Sequence, residues 1–305
     1  MNFQTIRQAL SDGLLSFPIT DFDDQLLFDK KKYTERIKWF VSKEISTVFV
    51  AGGTGEFFSI SKSEYSEIVH TAVSTVAGKV PVISSAGRSI SDAIEYIKIA
   101  EEAGVNGILL MPPYLTECPA DGAMQYAKTI IQSTTLPVIY YNRANGILSA
   151  ELVKELADAC PNLIGLKDGT SNMQDLNMII KTVGDRLVYI GGAPTAEIVS
   201  EAYLSIGVNT YSSAVFNFIP DVAVYFYKQL RAGNTTATTK ILQAFFIPFV
   251  RLRSHKKGYA VSLIKEGATL INESAGAVRP PLVMPNEEES KVLKNLIENA
   301  NQLIE

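Results

Sequence analysis

The chain has 305 residues, of which 47% are hydrophobic and 20% are charged, and its formal net charge is −4 at pH 7. This composition is ordinary for a globular protein, and the length allows one barrel-sized domain with an extension or two smaller domains. The acidic balance and the absence of a face rich in lysine or arginine argue against nucleic acid as a partner.

The two cysteines, Cys118 and Cys160, are far apart in the sequence and belong to no C-x-x-C or Cys/His cluster. With only two histidines beside them they make no typical zinc site, so we expect reduced cysteines, a cytoplasmic protein and no metal. No run approaches 18 apolar residues, and the N-terminus lacks a basic-then-apolar signal pattern. We therefore expect neither export by that route nor a membrane partner.

Eight short apolar or β-branched segments recur along the chain, and the intervals between them are long enough for a helix. Continuous apolar strands that alternate with helices are typical of a parallel sheet covered by helices. Eight strands close a (β/α)8 TIM barrel, so the predicted fold is an α/β barrel. The alternative is an open doubly wound sheet, which is disfavoured because no Gly-x-Gly-x-x-Gly follows the first strand. The predicted strands are 13–17, 47–51, 80–84, 107–111, 137–141, 163–166, 187–190 and 208–211.

The intervals carry helical periodicity, as in Ser89 to Ala103, where the apolar side chains share one face. Ser61 and Glu64 form a capping box at the start of another predicted helix. After Gly233 the strand rhythm stops, and residues 234–239 are predicted to be a polar bridge. Three helical segments follow at 241–252, 259–271 and 287–304, with no chemical motif of their own. We predict a catalytic barrel over 1–233 and a C-terminal helical extension, the second domain, over 234–305.

Lys167 ends the sixth predicted strand, and Asp168-Gly169 then turns the chain away. A half-buried ammonium is unfavourable, and bringing the pKa of a lysine towards neutrality costs roughly 4–5 kcal/mol. A protein carries that cost where it needs a free amine, usually to attack a carbonyl. The alternative interpretation is a strand-end lysine whose charged head reaches water.

The C-terminal ends of the other strands carry further chemically notable residues. In a (β/α)8 barrel these ends form the active-site mouth, so the residues are predicted to lie together with Lys167. They are Gly52 to Glu56 after strand two, Pro112-Pro113-Tyr114 after strand four, Tyr141-Asn142-Arg143 at the end of strand five, Gly191-Gly192 after strand seven and Ser212-Ser213 after strand eight.

Each of these residues also has an ordinary interpretation: a core tyrosine, a surface arginine or a tight glycine turn. The glycine segment lacks the Lys-Ser/Thr ending of a phosphate loop, so nucleotide binding is not expected. Its N–H groups and the Thr54 hydroxyl could instead form a nest for a carboxylate. A lysine amine, the proton-moving hydroxyl of Tyr141 and an anion nest together favour Schiff-base chemistry on a 2-keto acid, without metal or organic cofactor.

Three motifs in order, Gly-x-Thr-Gly-Glu, Tyr-Asn and Gly-x-Lys, resemble the dihydrodipicolinate synthase/N-acetylneuraminate lyase superfamily over the whole chain. The resemblance implies a Schiff-base lysine at Lys167 and a proton-relay tyrosine at Tyr141. It also implies substrate-carboxylate binding by Thr54 and its loop, Gly53 and Gly55 included. Members are commonly tetramers or dimers of dimers, so we expect a homotetramer or homodimer. Tyr114 matches a tyrosine that many members contribute to a neighbouring subunit.

Two departures from dihydrodipicolinate synthases affect the expected activity. Gly53 stands where they have the first threonine of Gly-Thr-Thr-Gly-Glu, and Gly146 stands where they place an arginine for a second carboxylate. Residues 13–22, 51–59 and 140–146 instead resemble the decarboxylating dehydratase branch, which acts in glucarate and galactarate breakdown.

That branch implies dehydration and decarboxylation of a dianionic 2-keto acid. Because the second-carboxylate arginine is missing, Arg143 or Ser212 is the hypothesis for binding the distal carboxylate. The enzymatic alternatives are a dihydrodipicolinate synthase and a 2-keto-3-deoxy sugar acid aldolase. The non-enzymatic alternative is a catalytically silent barrel that senses a keto acid.

Overall fold

A closed parallel barrel forms the centre of the protein. The computed structural model describes residues 1–114 and 117–304. Its eight strands follow chain order, each paired with the next, and a parallel bridge between Leu15 and Ser212 joins the two ends of the sheet. The strands are β1 (Leu15–Ser16), β2 (Thr47–Val50), β3 (Val82–Ala86), β4 (Gly107–Leu110), β5 (Val138–Asn142), β6 (Leu163–Asp168), β7 (Val188–Gly191) and β8 (Thr210–Tyr211).

One α-helix follows each strand, and others flank the barrel at both ends of the chain. None of the helices in the described part is both long and apolar enough to cross a membrane. The helices are α1 (Phe3–Ser11), α2 (Lys30–Ser42), α3 (Lys62–Val76), α4 (Ile90–Ala103), α5 (Ala120–Ile131), α6 (Ala150–Ala159), α7 (Met173–Val183), α8 (Ser200–Ser205), α9 (Pro220–Arg231), α10 (Thr235–Ile241), α11 (Ile247–Arg253), α12 (Tyr259–Leu270) and α13 (Glu287–Gln302).

Helix α1 closes the amino-terminal end of the barrel. Its buried Ile6 and Leu10 pack into the apolar cluster inside the barrel, and Arg7 donates to the carbonyls of Asp185 and Arg186 at 2.8 Å. No sequence pattern had predicted this helix. With one end plugged, the carboxyl ends of the strands form the open mouth.

The eight predicted strands are confirmed in position and order. β6 is longer than predicted and continues to Asp168, so Lys167 lies within the strand. β1 and β8 are each only two residues long. The capping box of Ser61 and Glu64 is also confirmed, because each side chain hydrogen-bonds the backbone of the other residue.

The prediction of a polar bridge at 234–239 is wrong. The Asn234 side chain accepts a hydrogen bond from the Ala237 N–H and so caps helix α10, which contains the threonines that suggested a linker. A π-helical stretch, Leu242–Phe246, then joins α10 to α11. The division of the chain into domains at residue 233 stays a prediction.

A buried ion pair attaches the C-terminal helices to the mouth of the barrel. Lys265 of α12 lies 2.9 Å from Glu56, and both side chains are 0% exposed. Burial lowers the pKa of Lys265, and the Glu56 carboxylate opposes this. Glu56 also accepts a hydrogen bond from the Arg279 N–H at 2.9 Å. The C-terminal segment therefore holds the residue that ends the glycine-rich loop.

Replacing Lys265 by Met should destabilise the protein by about 3–5 kcal/mol, because Glu56 would be left as an uncompensated buried carboxylate. Urea unfolding measures the loss. Lys228→Met is the matched control: it breaks the exposed pair with Glu44, where water already screens both charges, and should cost far less. Adding Glu56→Gln to Lys265→Met should recover part of the stability. Equal losses in the two single variants would contradict the structural role of the buried pair.

Candidate active site

Lys167 and Tyr141 are neighbours because of strand register. They are Cα partners between β6 and β5, so their side chains point to the same side of the sheet. The Lys167 side chain lies inside the barrel and is only 5% exposed. Its Nζ is 4.1 Å from the ring centre of Tyr141 and 4.2 Å from that of Phe17. The amine is therefore held between two aromatic faces.

The surroundings favour the uncharged form of this amine. Burial lowers the pKa of Lys167; Tyr141 opposes the shift and the Arg143 cation adds to it. Burial by itself would raise the pKa of Tyr141, but the charges of Lys167 and Arg143 outweigh it and lower that pKa. The Tyr141 hydroxyl donates to the Gly192 carbonyl at 3.0 Å and accepts from Arg143 Nη1 at 2.8 Å. The pair is thus placed for nucleophilic attack and proton transfer.

Two glycines make room for these side chains. A Cβ at Gly192 would lie 2.5 Å from both Cγ and Cε of Lys167. A Cβ at Gly169 would lie 2.7 Å from the Tyr141 ring and 2.8 Å from Cβ of Arg143. Any larger residue at either position would displace the reactive groups.

Lys167 opens into a cavity of about 340 Å³ at the mouth of the barrel. Among the described residues that line it, the charged ones are Arg143, Lys167 and Arg253, and all of them are cations. The apolar part of the lining comes from the barrel and from helices α11 and α12: Phe17, Leu109, Met111, Phe249, Val261 and Ile264.

The glycine-rich loop after β2 borders the same cavity through Gly53 and Thr54. Its turn is closed by the N–H groups of Glu56 and Phe57, which donate to the carbonyls of Gly53 and Gly52. Within the described part of the chain, the N–H groups of Thr54 and Gly55 have no acceptor. These unpaired donors and the Thr54 hydroxyl suit a carboxylate.

The two glycines that depart from the dihydrodipicolinate synthase pattern have different surroundings. A Cβ at Gly53 would meet nothing within 4 Å, so the missing threonine leaves open space. A Cβ at Gly146 would lie 2.9 Å from both Pro112 Cβ and the Tyr140 hydroxyl. An arginine at 146 would therefore require the wall to move.

Most of the sequence-predicted site residues line one cavity: Gly53, Thr54, Tyr141, Arg143, Lys167 and Ser212. Gly55 is buried beside it, where its carbonyl accepts a hydrogen bond from Thr20 Oγ1 at 2.7 Å. Tyr114 is 62% exposed and lines a neighbouring groove of about 1010 Å³. The groove and the cavity share Gly53, Met111, Pro112 and Ala144.

Arg253 and Thr195 also line the cavity, and no sequence pattern had predicted them. Arg253 lies in the segment for which no chemical motif was found. One signal was present: Arg253 follows Phe249 by four residues, which places a cation on the apolar face of α11. Thr195 follows β7 and has a left-handed backbone with a φ of 57°, which sequence does not reveal for a threonine.

Asp168, the residue after Lys167, does not line the cavity, and its side chain is hydrogen-bonded elsewhere. Its carboxylate accepts from the N–H groups of Thr170 and Ser171 and from the hydroxyl of Tyr203, at 2.7 to 3.1 Å. In residues 1–114 and 117–304, no group of three or more His, Cys, Asp or Glu is placed to hold a metal ion.

Several known proteins are similar to this chain over nearly its whole length. A protein from Rhizobium rhizogenes with the name "Probable 5-dehydro-4-deoxyglucarate dehydratase" is 46% identical to this chain, over 98% of this chain and 99% of that one. One from Acinetobacter baumannii is 46% identical over 92% of this chain and 93% of that one.

Two solved structures also match this chain over most of its length. The dihydrodipicolinate synthase of Bacillus clausii has a TM-score of 0.88 and 26% identity, and the match covers 96% of this chain and 98% of that one. YagE of E. coli K12, a prophage protein of the dihydrodipicolinic acid synthase family crystallised with pyruvate, has a TM-score of 0.84 and 26% identity, covering 95% and 98%. Residues 10–300 match the dihydrodipicolinate synthetase family, and the chain belongs to that family.

Proposed function

We propose that the protein dehydrates and decarboxylates 5-dehydro-4-deoxy-D-glucarate to 2,5-dioxopentanoate, water and carbon dioxide. The observation that carries the proposal is the cavity itself, in which a buried amine and two arginines are the charged groups among the described lining residues. Such a cavity suits a dianion with a ketone, and 5-dehydro-4-deoxy-D-glucarate has two carboxylates and a ketone. Relatives of 46% identity carry the name of this activity, and a related structure holds pyruvate, the simplest 2-keto acid.

The reaction begins with imine formation. The substrate carboxylate next to the ketone binds the Thr54 hydroxyl and the N–H groups of Thr54 and Gly55, which fixes the carbonyl over the amine. Lys167 Nζ attacks the ketone carbon, and the carbonyl oxygen leaves as water. The ring centre of Tyr141 lies 4.1 Å from the amine, so we assign the protons of this step to its hydroxyl.

The imine then serves as the electron sink for two bond cleavages. Loss of a proton from the adjacent methylene gives an enamine, which expels the hydroxyl one carbon further on and leaves a conjugated iminium. The electrons of the bond to the distal carboxylate flow into this iminium as carbon dioxide departs. Protonation and hydrolysis of the imine release 2,5-dioxopentanoate and restore Lys167. With glycine at 53, the relay for the methylene proton is Tyr141, a bound water or the substrate itself.

The remaining assignments concern the distal carboxylate and the assembly. Arg143 and Ser212, the sequence-based candidates for the distal carboxylate, both border the cavity. We also propose a cytoplasmic homotetramer or homodimer in which Tyr114 approaches a neighbouring subunit's site. Cys118 and Cys160 are free, which agrees with a reducing compartment.

Borohydride reduction with substrate, followed by peptide mass mapping, tests the Schiff base. We expect a permanent adduct on Lys167 and none on Lys265, a lysine equally buried but outside the cavity lining. Carbon dioxide should appear without pyruvate. Pyruvate release would instead indicate an aldolase, and binding without an adduct would indicate a sensor.

Tyr141→Phe should lower kcat roughly 10²–10⁴-fold, since it removes the hydroxyl that moves protons. Steady-state kinetics at saturating substrate measure the change. Tyr189→Phe is the control: it removes a tyrosine hydroxyl that donates to the Gly184 carbonyl at 2.9 Å, outside the cavity lining, and should leave kcat nearly unchanged. A Tyr141→Phe enzyme as fast as Tyr189→Phe would exclude the relay.

Arg143→Gln should move both limbs of the pH profile of kcat/KM to higher pH. The Arg143 cation lowers the pKa of Lys167 and that of Tyr141, so its removal raises both. Imine formation needs the free amine, so on the acid side of the profile kcat/KM should begin to rise only at a higher pH. A profile that stays in place or moves to lower pH would show that Arg143 does not tune the amine.

A further inference from the structure

Arg253 is a cation at the wall of the cavity, and no ion-pair partner for it lies in residues 1–114 or 117–304. It ends helix α11, is half-buried, and borders the same space as Lys167. Its Nη1 donates to Thr195 Oγ1. Among the residues that the structure describes, this is the only hydrogen bond of its side chain, and no carboxylate forms an ion pair with it. Removing a guanidinium from water without a partner is unfavourable, so the position favours an anionic ligand.

Glu197 is the acidic group whose charge acts on the pKa of Arg253, and it does not neutralise this cation. Glu197 is 1% exposed, its Oε1 accepts from the Ser213 hydroxyl at 2.6 Å, and its Oε2 has no partner among the described residues. Burial raises the pKa of Glu197 to about 7, so near neutrality it carries only part of a charge. Burial lowers the pKa of Arg253, and Glu197 only partly opposes this. The guanidinium thus keeps an unmatched positive charge.

We propose that Arg253, oriented by Thr195, binds the distal carboxylate of the dianionic substrate. This inference rests on the proposed function. The Nη1 that is held by Thr195 fixes the plane of the guanidinium, and the other donors of the fork are left for the carboxylate.

Backbone irregularities on both sides of the contact between Thr195 and Arg253 hold this arginine in place. Thr195 has a φ of 57°, a region that a β-branched residue seldom adopts, and its strained backbone accompanies the hydroxyl contact with Arg253. The π-helical stretch Leu242–Phe246 precedes α11 and shifts the faces that this helix presents. Phe249 and Arg253, one turn apart, both line the cavity.

Arg143 is placed for a different task. It donates to the Tyr141 hydroxyl at 2.8 Å, so it lies at the amine end of the cavity. The Arg143 cation acts on the pKa of both Lys167 and Arg253. Val261 and Ile264 of α12 line the same cavity as Arg253. A carboxylate bound there sits against apolar side chains, an environment that suits its departure as neutral carbon dioxide.

Two six-carbon probes isolate the contribution of the distal carboxylate. 2-Oxoadipate and 2-oxohexanoate both carry the keto acid that reacts with Lys167, and only the first has a carboxylate at the far end. The concentration that gives half-maximal borohydride trapping is measured for each. In the wild type we expect 2-oxoadipate to trap at roughly 10- to 100-fold lower concentration, the range of a charge-assisted hydrogen-bonded pair.

Arg253→Gln should bring this ratio close to one while trapping with 2-oxohexanoate changes little, and Arg253→Lys should keep part of the preference. Thr195→Val should weaken trapping of 2-oxoadipate more than trapping of 2-oxohexanoate. With the true substrate, this variant should raise KM by a larger factor than it lowers kcat. Arg251→Gln, which removes an exposed charge from the same helix, is the matched control and should keep the wild-type ratio.

Each other result overturns the inference. An unchanged ratio in Arg253→Gln, or a ratio lost in Arg143→Gln but kept in Arg253→Gln, would place the carboxylate elsewhere. If Arg253→Gln and Arg253→Lys both weaken trapping of the two probes to the same extent, Arg253 has a structural role and does not bind the distal carboxylate. If the wild type traps neither probe on Lys167, the proposed function fails and the inference with it, a result that differs from failure of the inference alone.

Discussion

The burial of one amine between two aromatic rings determines much of the rest of the site. Lys167 can lie between Phe17 and Tyr141 only because β7 is followed by a glycine, since a Cβ at 192 would overlap its side chain. The register of β5 and β6 places the hydroxyl of Tyr141 beside the same amine. The barrel therefore lowers the pKa of the nucleophile and positions its proton partner through one arrangement of strands.

The distribution of acidic groups explains why the cavity stays positive. Glu56 and Glu197 follow strands at the mouth, and Asp168 ends one, yet none of them lines the cavity. Glu56 is paired with Lys265, and Asp168 accepts hydrogen bonds from the turn that follows it. Glu197 accepts a hydrogen bond from the Ser213 hydroxyl. A ligand that enters therefore meets cations without competing carboxylates, which favours an anion over a neutral sugar.

The sequence predicted what depends on local pattern, and it missed what depends on distant contacts. Apolar runs located all eight strands, and the rule that barrel sites lie at strand ends brought Lys167, Tyr141 and Thr54 together. Helix α1 was missed because its two buried residues gave too short a pattern. Arg253 was missed because its position at the mouth depends on how α11 packs after a π-helical stretch, which no periodicity in the sequence specifies.

Binding a substrate by a carboxylate that is later lost has a consequence for turnover. Under the proposed assignments, the substrate is held at both ends, by the Thr54 loop and by Arg253, whereas the product keeps only the first of these anionic groups. An arginine that stabilised substrate and transition state equally would lower KM without raising kcat. Once carbon dioxide has left, however, the Arg253 contact no longer contributes to binding, so the product is held more weakly than the substrate. The contact that recognises the dianion thereby also favours release of the monoanion.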